Sequence, residues 1–511
     1  MKKKILIGCS LLSAIVLNAQ EPADALRFSW TVPSGTARQQ AIGGAMGSLG
    51  GDLSALYSNP AGLGFYRTGD LVISPLVHFG RNKATYFNRL ENKKNKTKGS
   101  LGTSGFVIGT GREGARSAAF SIGVNRSADF NSMILYRGQN NQSSYSQKFL
   151  EEIRNSGNTN PNTVASNYPF GTSLAFNTYW IDTVRGSSGQ VTGYKSLAPV
   201  ATGLLQQNSF EATGGITELA LGGAINFNEK VLFGGSFGVP ILRYARSGSF
   251  TEADATNNAN NNFNYATFRD DLTTEGAGIN VKAGFIFKPI EYVRLGLAFH
   301  SPTLYSLTDR YSASVETDTE NYGGVNKQTS EYVSGSGGEF KYQLVTPYRV
   351  IGSASYVLRE IADVKKQKGF LTADIEYVNY KASSFQPDEE NGNDQSTKDY
   401  LKTLNRAIDN AYKSAVNVRV GGELKFTTVM VRAGAAYYGN PYKNIQGEKG
   451  NHLNLSGGLG YRNKGVFVDL TYVHSLNKDV HFPYRLQYDP YSGATIKNTT
   501  GNVLMTVGFK F

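Results

Sequence analysis

The chain has 511 residues, with 52 Lys and Arg against 40 Asp and Glu, a formal charge of +12 and a single cysteine. Only 18% of its residues are charged, while 58 are Gly, 30 Tyr and 28 Phe, and beyond the first twenty positions no run approaches the roughly 18 consecutive apolar residues of a helical membrane span. Helical membrane proteins and disulfide-stapled secreted folds are excluded; an exported β protein, soluble or closed into a transmembrane barrel, remains.

Lys2-Lys3-Lys4, an apolar run from Ile5 to Leu17 and a small residue at Ala19 follow the order of a secretory signal peptide, so residues 1–19 are expected to be removed. Cys9 follows Leu6-Ile7-Gly8 in the manner of a lipoprotein box, but too few apolar residues precede it and the apolar stretch continues past it. Loss of Lys2, Lys3 and Lys4 leaves a charge of +9.

Residues 20–69 are the next unit. Gly43-Gly44-Ala45, Gly50-Gly51-Asp52-Leu53-Ser54-Ala55 and Asn59-Pro60-Ala61-Gly62-Leu63 are too small and too glycine-rich for the alternation of a barrel wall, and predict a compact body inside the lumen. Asn59 can bond its own backbone and Pro60 fixes φ, so the pair sets a rigid turn; a plain surface turn is the alternative. Gly44, Gly47 and Gly50 lack the Lys-Ser/Thr of a phosphate loop and read as close packing.

From residue 70 onward strands are predicted at 71–88, 100–112, 116–138, 209–227, 230–251, 272–289, 291–318, 336–358, 369–384, 414–426, 428–440, 452–463, 465–477 and 499–511. The count is even, and short turns alternate with long polar connections, as in bacterial outer-membrane barrels. The connections at 89–99, 139–208, 252–271, 319–335, 385–413, 441–451 and 478–498 are expected to face outward. Within the first of these, Lys93-Lys94-Asn95-Lys96-Thr97-Lys98 has no interleaved aromatics to stack bases. It reads as a solvated loop facing anionic headgroups, and nucleic acid is excluded as a partner.

Val416, Val418, Val420, Leu424 and Phe426 alternate with Asn417, Arg419, Gly421, Glu423 and Lys425. The same period places Leu219, Leu221, Phe233, Phe237, Val281, Leu295, Leu297 and Leu470 toward lipid. It turns Glu218, Lys282, Arg294, Asp374, Glu376, Arg419, Arg432 and Asp469 inward, where both signs of charge need a polar lumen. In the third strand the outward series Phe120, Ile122, Val124 is interrupted by Arg126. Asn125-Arg126-Ser127-Ala128-Asp129 suits a kink or wall gap, or equally a strand emerging among headgroups. Phe149, Leu150 and Ile153, and Leu401, Leu404, Ile408 and Ala411, have helical spacing; the two helices either pack on their own loops over the barrel mouth or offer a groove to a ligand.

No catalytic or metal constellation emerges. Gly234-Gly235-Ser236-Phe237-Gly238 lies mid-strand rather than at a strand-to-helix elbow, and His78, His300, His452, His474 and His481 are scattered without ligand spacing. Asp388-Glu389-Glu390-Asn391-Gly392-Asn393-Asp394 lacks the spacing of a calcium loop. No cofactor or enzymatic activity is expected.

The segment Asn59-Pro60-Ala61-Gly62, with its flanking glycine pairs, resembles the N-terminal hatch of the FadL/TodX-type long-chain fatty-acid transporters of the outer membrane. That resemblance implies a fourteen-stranded barrel with a luminal hatch. It implies entry of a hydrophobic small molecule from outside past the lipopolysaccharide, hatch rearrangement, and lateral exit through a kink in the third strand. The terminal strand, alternating through Val503, Met505, Val507 and Phe509 to Phe511, likewise resembles the signal read by the barrel-assembly machinery; an ordinary edge strand is the alternative. The competing class is a structural, adhesive or porin-like barrel whose luminal segment only stabilises the pore.

Overall fold

The computed structural model describes residues 22–30, 35–111, 116–335, 337–358, 368–390, 392, 394–443 and 450–511. The expected leader with Cys9, and parts of the turns predicted at 111–114 and 359–368, lie outside them.

Fourteen antiparallel strands close into a barrel. They are β1 (Asp70–Ile73 and Pro75–Tyr86), β2 (Arg89–Lys94, Lys98–Leu101 and Ser104–Thr110), β3 (Ser117–Asp129 and Ser132–Asn140), β4 (Leu204–Phe227), β5 (Val231–Asp254), β6 (Tyr265–Ile290) and β7 (Val293–His300 and Leu304–Asp318). The second half comprises β8 (Gly338–Val345 and Arg349–Leu358), β9 (Gly369–Asn379), β10 (Ser414–Phe426), β11 (Val429–Tyr438), β12 (His452–Asn463), β13 (Val466–His481) and β14 (Ala494–Lys510). Closure is made by β1 on β14, with Asp70 opposite Lys510 and Thr85 opposite Thr495.

Alternation sorts the two faces as the sequence predicts. Leu219, Phe233, Val281, Leu295, Leu297 and Leu470 are exposed on the outside, whereas Glu218, Lys282, Asp374, Glu376, Arg419, Arg432 and Asp469 are buried inside. The inward charges are paired: Arg432 with Asp469 at 2.5 Å and Glu423 at 2.6 Å, Arg419 with Glu376 at 3.0 Å, and Lys282 with Glu218. Pairing and hydrogen bonding are what make buried charge tolerable.

The expected loop 89–99 is corrected. Phe87 and Asn88 have φ of 43° and 62°, the left-handed backbone of a two-residue hairpin turn, and β2 begins at Arg89 and pairs back on β1. The basic cluster therefore lies along this strand, with Lys96 paired to Glu211 at 2.5 Å. β4, β6, β13 and β14 also run further outward than expected. β4, β5 and β6 hold 24, 24 and 26 residues, more than twice the roughly 9–11 needed to cross the apolar layer. Above that layer both faces of a strand meet water or the loops, so the apolar half of the alternating signal disappears while the ladder continues.

These extensions carry a cap. The helix Ser146–Ser156 buries Phe149 and Ile153 against Trp180, Phe250, Phe268 and Tyr484. The helix Gln395–Ala411 buries Leu401, Leu404 and Ile408 with Phe28, Tyr244 and Tyr342. Phe28 belongs to the helix Pro22–Ser29, which joins this outer luminal core.

Candidate functional site

Between Thr36 and Tyr66 the chain runs inside the barrel. Its first turn is capped by Thr36, whose Oγ1 accepts from Gln39 N at 3.3 Å and donates to the Asp52 carboxylate at 2.9 Å. Gly43, Gly44, Gly50 and Gly51 have φ between 63° and 81°, a backbone that glycine adopts without steric penalty. Buried backbone groups demand partners, and here strands from around the whole barrel supply them. Ala37 N donates to Thr506 Oγ1 of β14 (2.7 Å) and Ala37 O accepts from Thr471 of β13 (2.6 Å). Gly43 N reaches Ser456 of β12 (3.1 Å) and Met46 N reaches Asp374 of β9 (3.1 Å). Leu49 O accepts from Arg294 of β7 (2.8 Å), Leu56 O from Ser236 of β5 (2.9 Å), and Gly64 O from Asn226 of β4 (3.2 Å).

Asn59, Pro60, Ala61 and Gly62 are all buried. Asn59 caps the 3-10 helix Pro60–Phe65, its Oδ1 accepting from Ala61 N at 3.1 Å. Its Nδ2 donates to Gly47 O at 2.6 Å and reaches Phe285 O at 3.3 Å. The wall makes room through Gly234 and Gly284, which face each other across β5 and β6. A Cβ on Gly284 would stand 1.9 Å from Asn59 Oδ1, and one on Gly234 would stand 2.4 Å from Ala61 N. Neither glycine is marked by the sequence pattern, because the need for it comes from a distant segment.

Among the described residues, two cavities border this segment. The smaller, of about 120 Å³, is bordered by Tyr57, Lys282, His300, Arg349 and Glu376. The larger, of about 470 Å³, is bordered by Leu26 and Trp30 of the N-terminal helix region, by the inner faces of β12–β14, and by residues Arg126 to Ser132 of β3. That volume falls in the roughly 300–1,000 Å³ range of small-molecule sites.

At β3 the wall itself changes. Its inner half, Ala118–Val124, is laddered to β2, but beyond Val124 the remaining ladder, among the described residues, runs to β4 alone. Arg126 opposes Thr217 and Ala128 opposes Ile216, so Ser127 is an extra, bulged residue; bulges bend a strand locally. Gly214, at φ 111°, offers its carbonyl to Arg126 Nη2 at 2.6 Å and to Phe130 N at 3.1 Å. Past the bulge Tyr136 packs against Ala84, Tyr86 and Ile496, on the inner face of β1 and β14. Side chains bridge the unladdered seam instead: Asn82 Nδ2 donates to Met133 O at 2.8 Å, and Met133 N donates to Asn95 Oδ1 at 3.1 Å. The span 125–129, which the sequence reads as a kink or wall gap or equally as a strand emerging among headgroups, contains this bulge, and Arg126 to Asp129 border the larger cavity. The sequence marks neither residue for this role: Asn82 has only an inward position on a strand, and Asn95 falls within the basic stretch expected to be an external loop.

No protein-family model matches the chain, and no curated protein matches it in sequence. Solved structures do match. A FadL homologue of Pseudomonas aeruginosa superposes with a TM-score of 0.55 at 14% identity, over 94% of this chain and 99% of that one. The fold is that of the FadL-type barrel. The toluene transporter TodX of Pseudomonas putida matches with a TM-score of 0.51 at 12% identity, over 94% and 99% of the two chains. A deltaS2 mutant of the TodX monoaromatic hydrocarbon channel reaches 0.53 at 11% identity, over 94% and 100%. What is shared with these FadL-type barrels is the arrangement of strands over nearly the whole length, at an identity where side chains at any given position are free to differ.

Proposed function

We propose that this chain carries hydrophobic small molecules, of the long-chain fatty-acid class or related compounds, across the outer membrane. Residues 20–69 act as a hatch, and the passage leaves sideways through the wall at Asn125–Asp129. The observation that carries the reading is the larger cavity, which extends from the luminal segment to the place where β3 loses its ladder with β2. A ligand moving along that route exchanges the lumen for lipid without entering an aqueous pore, and its tail regains about 0.8 kcal/mol per methylene on burial. Phe511, exposed at the end of β14 while its backbone pairs with Gly69 at 2.9 Å, is the assembly signal in this reading.

The test is uptake of radiolabelled oleate by proteoliposomes. Saturable uptake is expected, with deletion of residues 20–68 abolishing it and opening an ion conductance. Absence of uptake, or uptake undiminished by the deletion, would overturn the proposal in favour of a structural or porin-like barrel.

A further inference from the structure

The inner wall facing the larger cavity is polar in an ordered way. Register places Asn82, Asn498, Asn477 and His452 in one row across β1, β14, β13 and β12. Thr500, Ser475 and Asn454 form the row beneath it, and His78 and Asn502 begin a third. Apart from Asn82, all of these border the cavity. Asn477 Oδ1 and Asn498 Oδ1 have no hydrogen-bond partner among the described residues. Leu26, Ala128 and Phe130 also border the cavity, and Trp30 stacks on His452 with ring centroids 4.6 Å apart. Both guanidinium groups at its border are ion-paired, Arg27 with Asp24 and Arg126 with Asp129 at 3.4 Å, although Arg126 Nε has no hydrogen-bond partner among the described residues.

His78 and Asn502 bond each other at 2.5 Å, but a plain hydrocarbon tail laid on the other two rows would leave their amides and hydroxyls unpaired, which is costly. A carboxylate can only accept hydrogen bonds and would need a cation that is not engaged elsewhere. Asn, Ser and Thr each offer both a donor and an acceptor, and a hydroxyl group is the ligand function that answers both at once. Resting on the transport reading above, we infer that this cavity takes an uncharged amphiphile whose polyhydroxylated head lies on the β12–β14 rows while its apolar part lies on Leu26, Ala128 and Phe130. Alkyl glycosides are the simplest members of that class.

Calorimetric titration of the full-length chain in lipid nanodiscs, with empty nanodiscs subtracted, tests this using dodecyl maltoside, dodecanoate and dodecanol. The maltoside is expected to bind at least about tenfold more tightly than the other two, a margin that one or two hydrogen bonds supply. Asn454→Leu combined with Asn498→Leu is expected to erase that margin while leaving dodecanoate binding unchanged or tighter. Asn454→Ser combined with Asn498→Ser, which keeps hydrogen-bonding groups on the wall, is expected to retain most of it. Heat-modifiable migration on gels identifies variants that still form the barrel. Dodecanoate binding as tightly as the maltoside, or both leucine substitutions weakening every ligand alike, would overturn the inference and leave the transport reading standing. Saturable binding of none of the three would overturn both.

Discussion

Asn59 uses both ends of one amide to hold the luminal segment together. Its oxygen caps the turn that Pro60 begins, and its nitrogen ties that turn to Gly47 and to the wall at Phe285. Asn59→Ala is expected to cost about 1–2 kcal/mol, the usual loss for a helix cap with a buried partner left unpaired. It should raise hydrogen exchange across residues 36–65 while the strands stay protected; unchanged exchange in that segment would refute the role. The capping chemistry is legible in sequence because Asn, Pro and the following small residues act within one turn. Gly234 and Gly284 were not legible, since each is a strand residue whose lack of a side chain is required by Asn59 and Ala61.

The elements were legible wherever one face of them meets lipid. β10 and β12 have the boundaries predicted for them, because alternation runs through both, while the outer ends of β2, β4, β6, β13 and β14 carry no such pattern and have the composition of loops. The helix Gln395–Ala411 was legible from its own spacing, and its start is fixed by Asp394. That carboxylate accepts from Thr397 Oγ1 at 2.5 Å, Ser396 Oγ at 2.8 Å and Thr397 N at 2.9 Å. These bonds, that of the Thr397 side chain foremost, lower its pKa from 3.8 to about 2. A depressed carboxylate contributes its stability above the unfolded value and loses it as pH falls through the folded one. Amide protection in the first helical turn should therefore decline between pH 3.8 and about 2. Asp394→Ala should start from lower protection at neutral pH and show no further decline in that window. An identical acid titration in the variant would remove Asp394 as the cause.

For the whole molecule, the consequence of Ser127 reaches furthest. On either side of it β3 keeps a constant register with β4: Val124 opposes Leu219 and Arg126 opposes Thr217, then Ala128 opposes Ile216 and Asp129 opposes Gly215. Deleting Ser127 alone would bring Arg126 and Ala128 onto neighbouring rungs without changing the partner of any other residue. Side chains on both flanks would therefore keep their faces, whereas a one-residue slip normally inverts them. What the deletion removes is the bulge at the point where β3 leaves its ladder with β2 and comes to pack on the inner face of β1 and β14. The deletion variant is expected to fold, to show the same heat-modifiable migration and to bind ligand as the parent does. Its proteoliposome uptake should fall at least about tenfold, equivalent to about 1.4 kcal/mol on the exit step. Uptake that survives in a variant with a straightened β3 would mean that the ligand leaves elsewhere, and the seam bridged by Asn82 and Asn95 would then be a structural accommodation to the inward-leaning strand. Loss of binding together with uptake would instead assign residues 125–129 to the cavity wall, since Arg126 through Ser132 border it, and measuring both quantities on the same preparation separates the two roles.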